Sequence, residues 1–106
     1  MKLLLSVINS DDTYSLTDAL AREDYRSTVI STTGGFLREG NTTLLIGIDD
    51  AQVPAVLNII RQTCRTRTKL ITSFPAEVGE LLMTPIEVEV GGAVVFVLPV
   101  EQFEQF

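Results

Sequence analysis

Apolar and polar positions follow two different rhythms along this chain, and the changes of rhythm divide it into elements. Residues 2–9, Lys-Leu-Leu-Leu-Ser-Val-Ile-Asn, form an apolar run rich in branched side chains. They predict a buried strand that ends at the stop and cap of Ser10-Asp11-Asp12. From Asp12 to Asp24, Leu16, Ala19 and Leu20 recur at helical spacing beside Tyr14, while Asp18, Arg22 and Glu23 point outward, the pattern of an amphipathic helix. Arg26–Thr33 is dense in Thr, Ser, Val and Ile, and Asn41–Asp49 alternates through Leu44, Ile46 and Ile48, so both favour strands. Asp49-Asp50 caps a second helix on which Val53, Val56, Leu57, Ile60 and Cys64 share a face, with Pro54 tolerable near its start. Lys69–Phe74 predicts a short strand, and Pro75–Thr84 has no clear period. Pro85–Val90 alternates Ile86, Val88 and Val90 with Glu87 and Glu89, a half-exposed strand; Gly91-Gly92 reads as a hairpin turn into the apolar run Ala93–Leu98. That last strand is apolar on both faces and calls for cover on each. The tail keeps Phe103 and Phe106, which predicts that it docks.

The order β-α-β-β-α-β, with an extra strand or two between the second helix and the last strand, is the ferredoxin-like split motif of the α+β class. Helices on one side of such a sheet leave an apolar face that self-association around a closed axis would cover, so a homo-oligomer is expected.

The connection from Thr32 to Thr43 carries Gly34, Gly35 and Gly40 with Phe36, Leu37 and Arg38. Glycines reach backbone angles closed to other residues, and successive N–H groups in such a turn converge on an anion. Two local readings stay open. Either Phe36 faces a planar, phosphate-bearing ligand, or the turn is a hairpin whose Phe36 packs into its own core.

The bulk chemistry narrows the function. The chain has 106 residues, 45% hydrophobic and 21% charged, which is one ordered domain, 1–106, able to bury a core of its own. A net charge of -6 sets its field against polyanions, so nucleic-acid polymers and anionic membranes are not expected partners. A small anion answers to local donors instead. Cys64, the single cysteine, removes any intrachain disulfide, and the opening Met-Lys-Leu-Leu-Leu is broken too early for a signal peptide, so a cytoplasmic location is expected. Cys64 reads as a small buried hydrophobe. The chain has no histidine, which with one cysteine removes the usual zinc sets and the commonest general base. Glu87 and Glu89 share a strand face but suit a solvated strand better than a hydrolase, so no enzymatic activity and no metal or cofactor are expected. Arg65-Thr66-Arg67-Thr68-Lys69 reads as a solvated helix exit.

Several blocks together resemble one family: Tyr25-Arg26-Ser27-Thr28, the Thr32–Thr43 stretch, Gln62-Thr63-Cys64, Pro85-Ile86-Glu87-Val88-Glu89-Val90-Gly91-Gly92-Ala93 and Phe103-Glu104-Gln105-Phe106. Across nearly its whole length the chain is similar to the PII-like cyclic di-AMP receptors of bacteria, small trimeric signalling proteins. The resemblance implies a single PII-like domain, a homotrimer, and clefts between subunits that bind cyclic di-AMP. It implies contacts from Arg26, Thr28, Gly34, Gly35, Phe36, Leu37, Asn41 and Gly47, with Phe96 and Gln105 completing the cleft. These residue types fit: adenine takes an aromatic or aliphatic platform and amide partners on its edge, and phosphate takes backbone N–H groups and a fixed cation. The short Gly34–Gly40 turn, where PII proteins have a long loop, argues against ATP and oxoglutarate sensing. Phe74–Thr84 is shorter than the presumed output loop of relatives, which leaves the downstream protein partner unknown and admits an alternative, a scaffold that has lost dinucleotide sensing and acts through protein contacts or another small anion. Asp24 stands where relatives commonly carry an amide, and its charge is expected to weaken affinity.

Overall fold

The computed structural model describes residues 1–30, 40–71 and 86–106, the side chains of Lys69, Ile71 and Ile86 excepted. The readings of Gly34, Gly35, Phe36 and Leu37, and of the stretch 74–84, lie outside the described residues. Strand β1 (Lys2–Asn9) leads into helix α1 (Thr13–Arg22), then come strands β2 (Thr28–Ile30) and β3 (Asn41–Ile48), helix α2 (Val53–Thr63), and strands β4 (Arg67–Ile71), β5 (Ile86–Val90) and β6 (Ala93–Pro99). This is the expected βαββαβ order with two strands inserted after the second helix.

Four strands make one antiparallel sheet in the order β2-β3-β1-β6. Strand alternation then sorts the side chains onto two faces. Leu4 and Ile8 of β1 and Leu44, Ile46 and Ile48 of β3 meet Leu16 and Leu20 of α1 and Val56 and Ile60 of α2, all buried. Each such side chain contributes about 1.5–3 kcal/mol by leaving water. Ser6 sits in the same buried row, and among the described residues its hydroxyl has no hydrogen-bond partner. The opposite face carries Leu3, Leu5 and Val7 of β1 beside Thr43, Leu45 and Gly47 of β3 and Val94, Phe96 and Leu98 of β6, as the registers require. Val94, Phe96 and Leu98 are exposed there, at 56%, 46% and 41%. No helix of the described residues is long and apolar enough to cross a membrane.

Local expectations fail at four places where distant partners decide the outcome. Asp49-Asp50 does not cap α2, whose N-cap position is Gln52: the Asp49 side chain makes no capping bond, and Asp50 is taken by the Met1 α-ammonium at 2.7 Å. Within the stop and cap expected of Ser10-Asp11-Asp12, Asp12 takes the N-cap position of α1 but makes no side-chain capping bond; Asn9 accepts from the Asp11 N–H at 2.9 Å in the 3₁₀ turn that precedes the helix. Asp12 is engaged by Arg67, whose Nη2 donates to Oδ1 at 2.8 Å and Nη1 to Oδ2 at 3.3 Å. The basic run after α2 is therefore not merely a solvated helix exit: Arg67 opens β4 and ties it to the start of α1. Finally, Gly91-Gly92 does not close a hairpin. Strand β5 pairs with β4 in a two-stranded sheet, whereas β6 pairs with β1. The two glycines carry the chain from one sheet to the other, and the Gly92 N–H donates to the Cys64 carbonyl at 2.6 Å.

Candidate functional site

The start of β1, the end of β3, the approach to β2 and the C-terminal tail converge on a cleft of about 590 Å³. Strand register sets most of its floor. Leu3 lies opposite Gly47, and Thr28 lies opposite Leu45, all on the open sheet face. Arg26 stands two residues before β2 and lines the same cleft. The tail closes the remaining side: the Val100 N–H donates to the Met1 carbonyl at 3.2 Å, which continues the β1–β6 pairing, and Phe103, Glu104 and Gln105 follow along the cleft.

Of the residues named from sequence, Arg26, Thr28, Gly47 and Gln105 are thus brought together from separate segments. Asn41 and Phe96 are not. Asn41 pairs with Asn9 at the other end of β3 from Gly47, about 20 Å away at the rise of a strand. Phe96 is on the open face but pairs with Leu5 on the far side of β1, so it belongs to the apolar surface and not to this cleft. The sequence reading missed Leu3, Leu45, Phe103 and Glu104. Odd positions on β1 and β3 would have exposed the two leucines, and the aromatic tail signalled Phe103; nothing local marked Glu104. Docking of the tail is split, since Phe103 lines the cleft while Phe106 is wholly exposed.

Gly47 is informative because the fold does not demand it. Among the described residues, a Cβ there would meet only the Met1 Cε, at an ordinary 3.7 Å. Its missing side chain leaves open floor in the cleft that Leu3 and Arg26 also line. The lining offers a fork of guanidinium donors, a hydroxyl, an amide that both donates and accepts, and apolar platforms. Such a set suits an anionic ligand with a flat heterocycle.

Across residues 1–106 the sequence matches the family described as "Cyclic-di-AMP receptor". The chain belongs to the cyclic-di-AMP receptor family. Its fold also matches the crystal structure of a functionally unknown protein from Pediococcus pentosaceus ATCC 25745, 44% identical, with a TM-score of 0.77 over 99% of this chain and 96% of that one. Within a cyclic-di-AMP receptor the charge around the cleft takes on meaning. The Met1 α-ammonium is 2.7 Å from the Asp50 carboxylate, and this hydrogen bond holds Asp50 below the usual carboxylate range. Asp24, whose charge was expected to oppose binding in a receptor of this family, is not among the residues that line the cleft. It follows the last turn of α1 with φ 64°, the left-handed region that Asn and Asp enter more readily than other side chains. The backbone thus explains why a short polar residue stands there.

Cys64 bears out its reading as a buried hydrophobe. It is 2% exposed, and burial, helped by the negative charge of Asp12 and opposed by Arg67, pushes its thiol up to about 11. At neutral pH it offers no thiolate.

Proposed function

We propose that this chain is a non-enzymatic receptor that binds cyclic di-AMP in the Arg26–Gly47–Gln105 cleft. The observation that carries the reading is the convergence of Arg26, Thr28, Gly47 and Gln105 on one cleft in a member of the cyclic-di-AMP receptor family. Arg26 takes a phosphate, Gln105 reads a base edge, and Leu3, Leu45 and Phe103 supply the platform. The uncovered face of the four-stranded sheet supports a homotrimer, in which Phe96 and Asn41 of neighbouring copies would complete sites that one protomer leaves partial. Gly34, Gly35, Phe36 and Leu37 are proposed to join them from the β2–β3 connection. Occupancy would pass to a protein partner through residues 74–84, in the cytoplasm of a bacterial cell.

Calorimetric titration with cyclic di-AMP, ATP and AMP in parallel tests this. Saturable heat is expected with the cyclic dinucleotide alone, and Arg26→Ala weakens it by at least about tenfold, the scale of one charged hydrogen-bonding group. Light scattering should return three times the 11.6 kDa of one chain. No heat with cyclic di-AMP at high protein concentration overturns the reading and leaves the scaffold alternative.

A further inference from the structure

We infer that Glu104 sets the affinity of the cleft by opposing the phosphates of its ligand, an inference that rests on the cyclic di-AMP reading above. Among the described residues, the charged side chains lining the cleft are Arg26 and Glu104. Met1 also lines the cleft, and its α-ammonium is matched by Asp50 at 2.7 Å. Among the described residues one guanidinium is thus balanced by one carboxylate in the lining, which lowers the attraction this part of the cleft offers a ligand with two phosphodiester charges.

The fold makes this hard to avoid. The Val100 N–H bond to the Met1 carbonyl fixes where the tail starts, and the next residues to reach the cleft are Phe103, Glu104 and Gln105 in succession. The segment that supplies a useful amide supplies a carboxylate beside it. Glu104 is exposed, so it stays hydrated and acts through its field more than through a fixed contact. The Debye length at physiological salt is about 8 Å, so between a phosphate held by Arg26 and a carboxylate lining the same cleft the repulsion is only partly screened. A single exposed charge pair is worth up to about a fivefold factor, and two phosphates feel this one, so the expected effect of removing it is about three- to tenfold.

Glu87 and Glu89 provide the contrast. Both carry the same charge and are exposed, but they stand on β5, which pairs with β4 in the other sheet, and neither lines the cleft. Both are therefore controls for a charge removed away from the ligand.

The test titrates cyclic di-AMP into the full chain and into Glu104→Gln, Glu87→Gln and Glu89→Gln, at low and at high salt. Glu104→Gln should lower Kd about three- to tenfold at low salt, with the gain shrinking as salt rises. The two controls should change Kd by less than about twofold. An unchanged or higher Kd in Glu104→Gln, or an equal gain in either control, overturns the inference while leaving the receptor reading intact. Binding seen only in Glu104→Gln supports it in its strongest form. Binding absent from every protein overturns both the inference and the reading on which it rests.

Discussion

Glycine serves opposite purposes at two places in this molecule, the β5–β6 junction and the end of β3. At the junction, Gly91 and Gly92 have φ of +88° and +80°, and a Cβ on Gly91 would stand 2.5 Å from the Arg65 carbonyl oxygen. There the backbone itself requires glycine. At Gly47 neither the dihedral nor the surroundings require it, and the space it leaves opens into the cleft. Where crowding or a positive φ accounts for a glycine, it belongs to the fold; where neither does, the empty volume is the property to explain.

The comparison breaks most visibly if Gly91 accepts a side chain. Gly91→Ala combines a left-handed backbone with a clash against fixed backbone atoms, and should lower unfolding free energy by about 3 kcal/mol, read from urea denaturation. Cys64, whose carbonyl anchors the same junction, gives the next effect. The unfolded thiol loses its proton near 9.0 and the folded one near about 11. Across that window the folded state binds the extra proton, so this contribution is intact below pH 9 and is lost as pH rises toward 11. After allowance for solvent screening it amounts to about 2 kcal/mol, and Cys64→Ala should flatten that part of the pH profile relative to the parent chain.

On the cleft side, Gly47→Val should leave the urea midpoint unchanged or slightly raised, because a strand is weakened by glycine. It should also weaken cyclic di-AMP binding about tenfold, about 1.4 kcal/mol, by filling the floor. A loss of stability there would erase the distinction between the two glycine sites. The smallest expected effect concerns Ser6, on the covered face of the sheet. Ser6→Ala removes a buried hydroxyl without a described partner and should stabilise by about 1 kcal/mol, a rise of roughly 4 °C in Tm.

Much of the fold was readable in advance because it rests on short-range periodicity. The apolar spacing of Leu16 with Leu20, of Val56 with Ile60, and the alternation through Leu44, Ile46 and Ile48 put the right residues in the core. What local pattern could not supply was pairing at a distance. A Gly-Gly turn between two β-like runs looks the same whether the runs pair with each other or with strands elsewhere, and here β5 takes β4 while β6 takes β1. Asp12 and Arg67 stand 55 positions apart, so neither announced the other. The cleft was partly legible for a related reason. Arg26, Thr28, Gly47 and Gln105 were identified from a family resemblance, whereas Glu104 became visible only when the tail was seen to run past them.

The place of β1 in the sheet also bears on how the chain acquires its structure. β1 ends at Asn9, yet one of its two neighbours, β6, begins at Ala93. The central strand stays half paired until a very long loop has closed, at an entropic cost that local helix formation does not offset. Until then its edge and its apolar residues are open to other chains. In synthesis on a ribosome, the sheet gains its last strand only when nearly all of these residues have emerged, and that late step is where folding and aggregation compete.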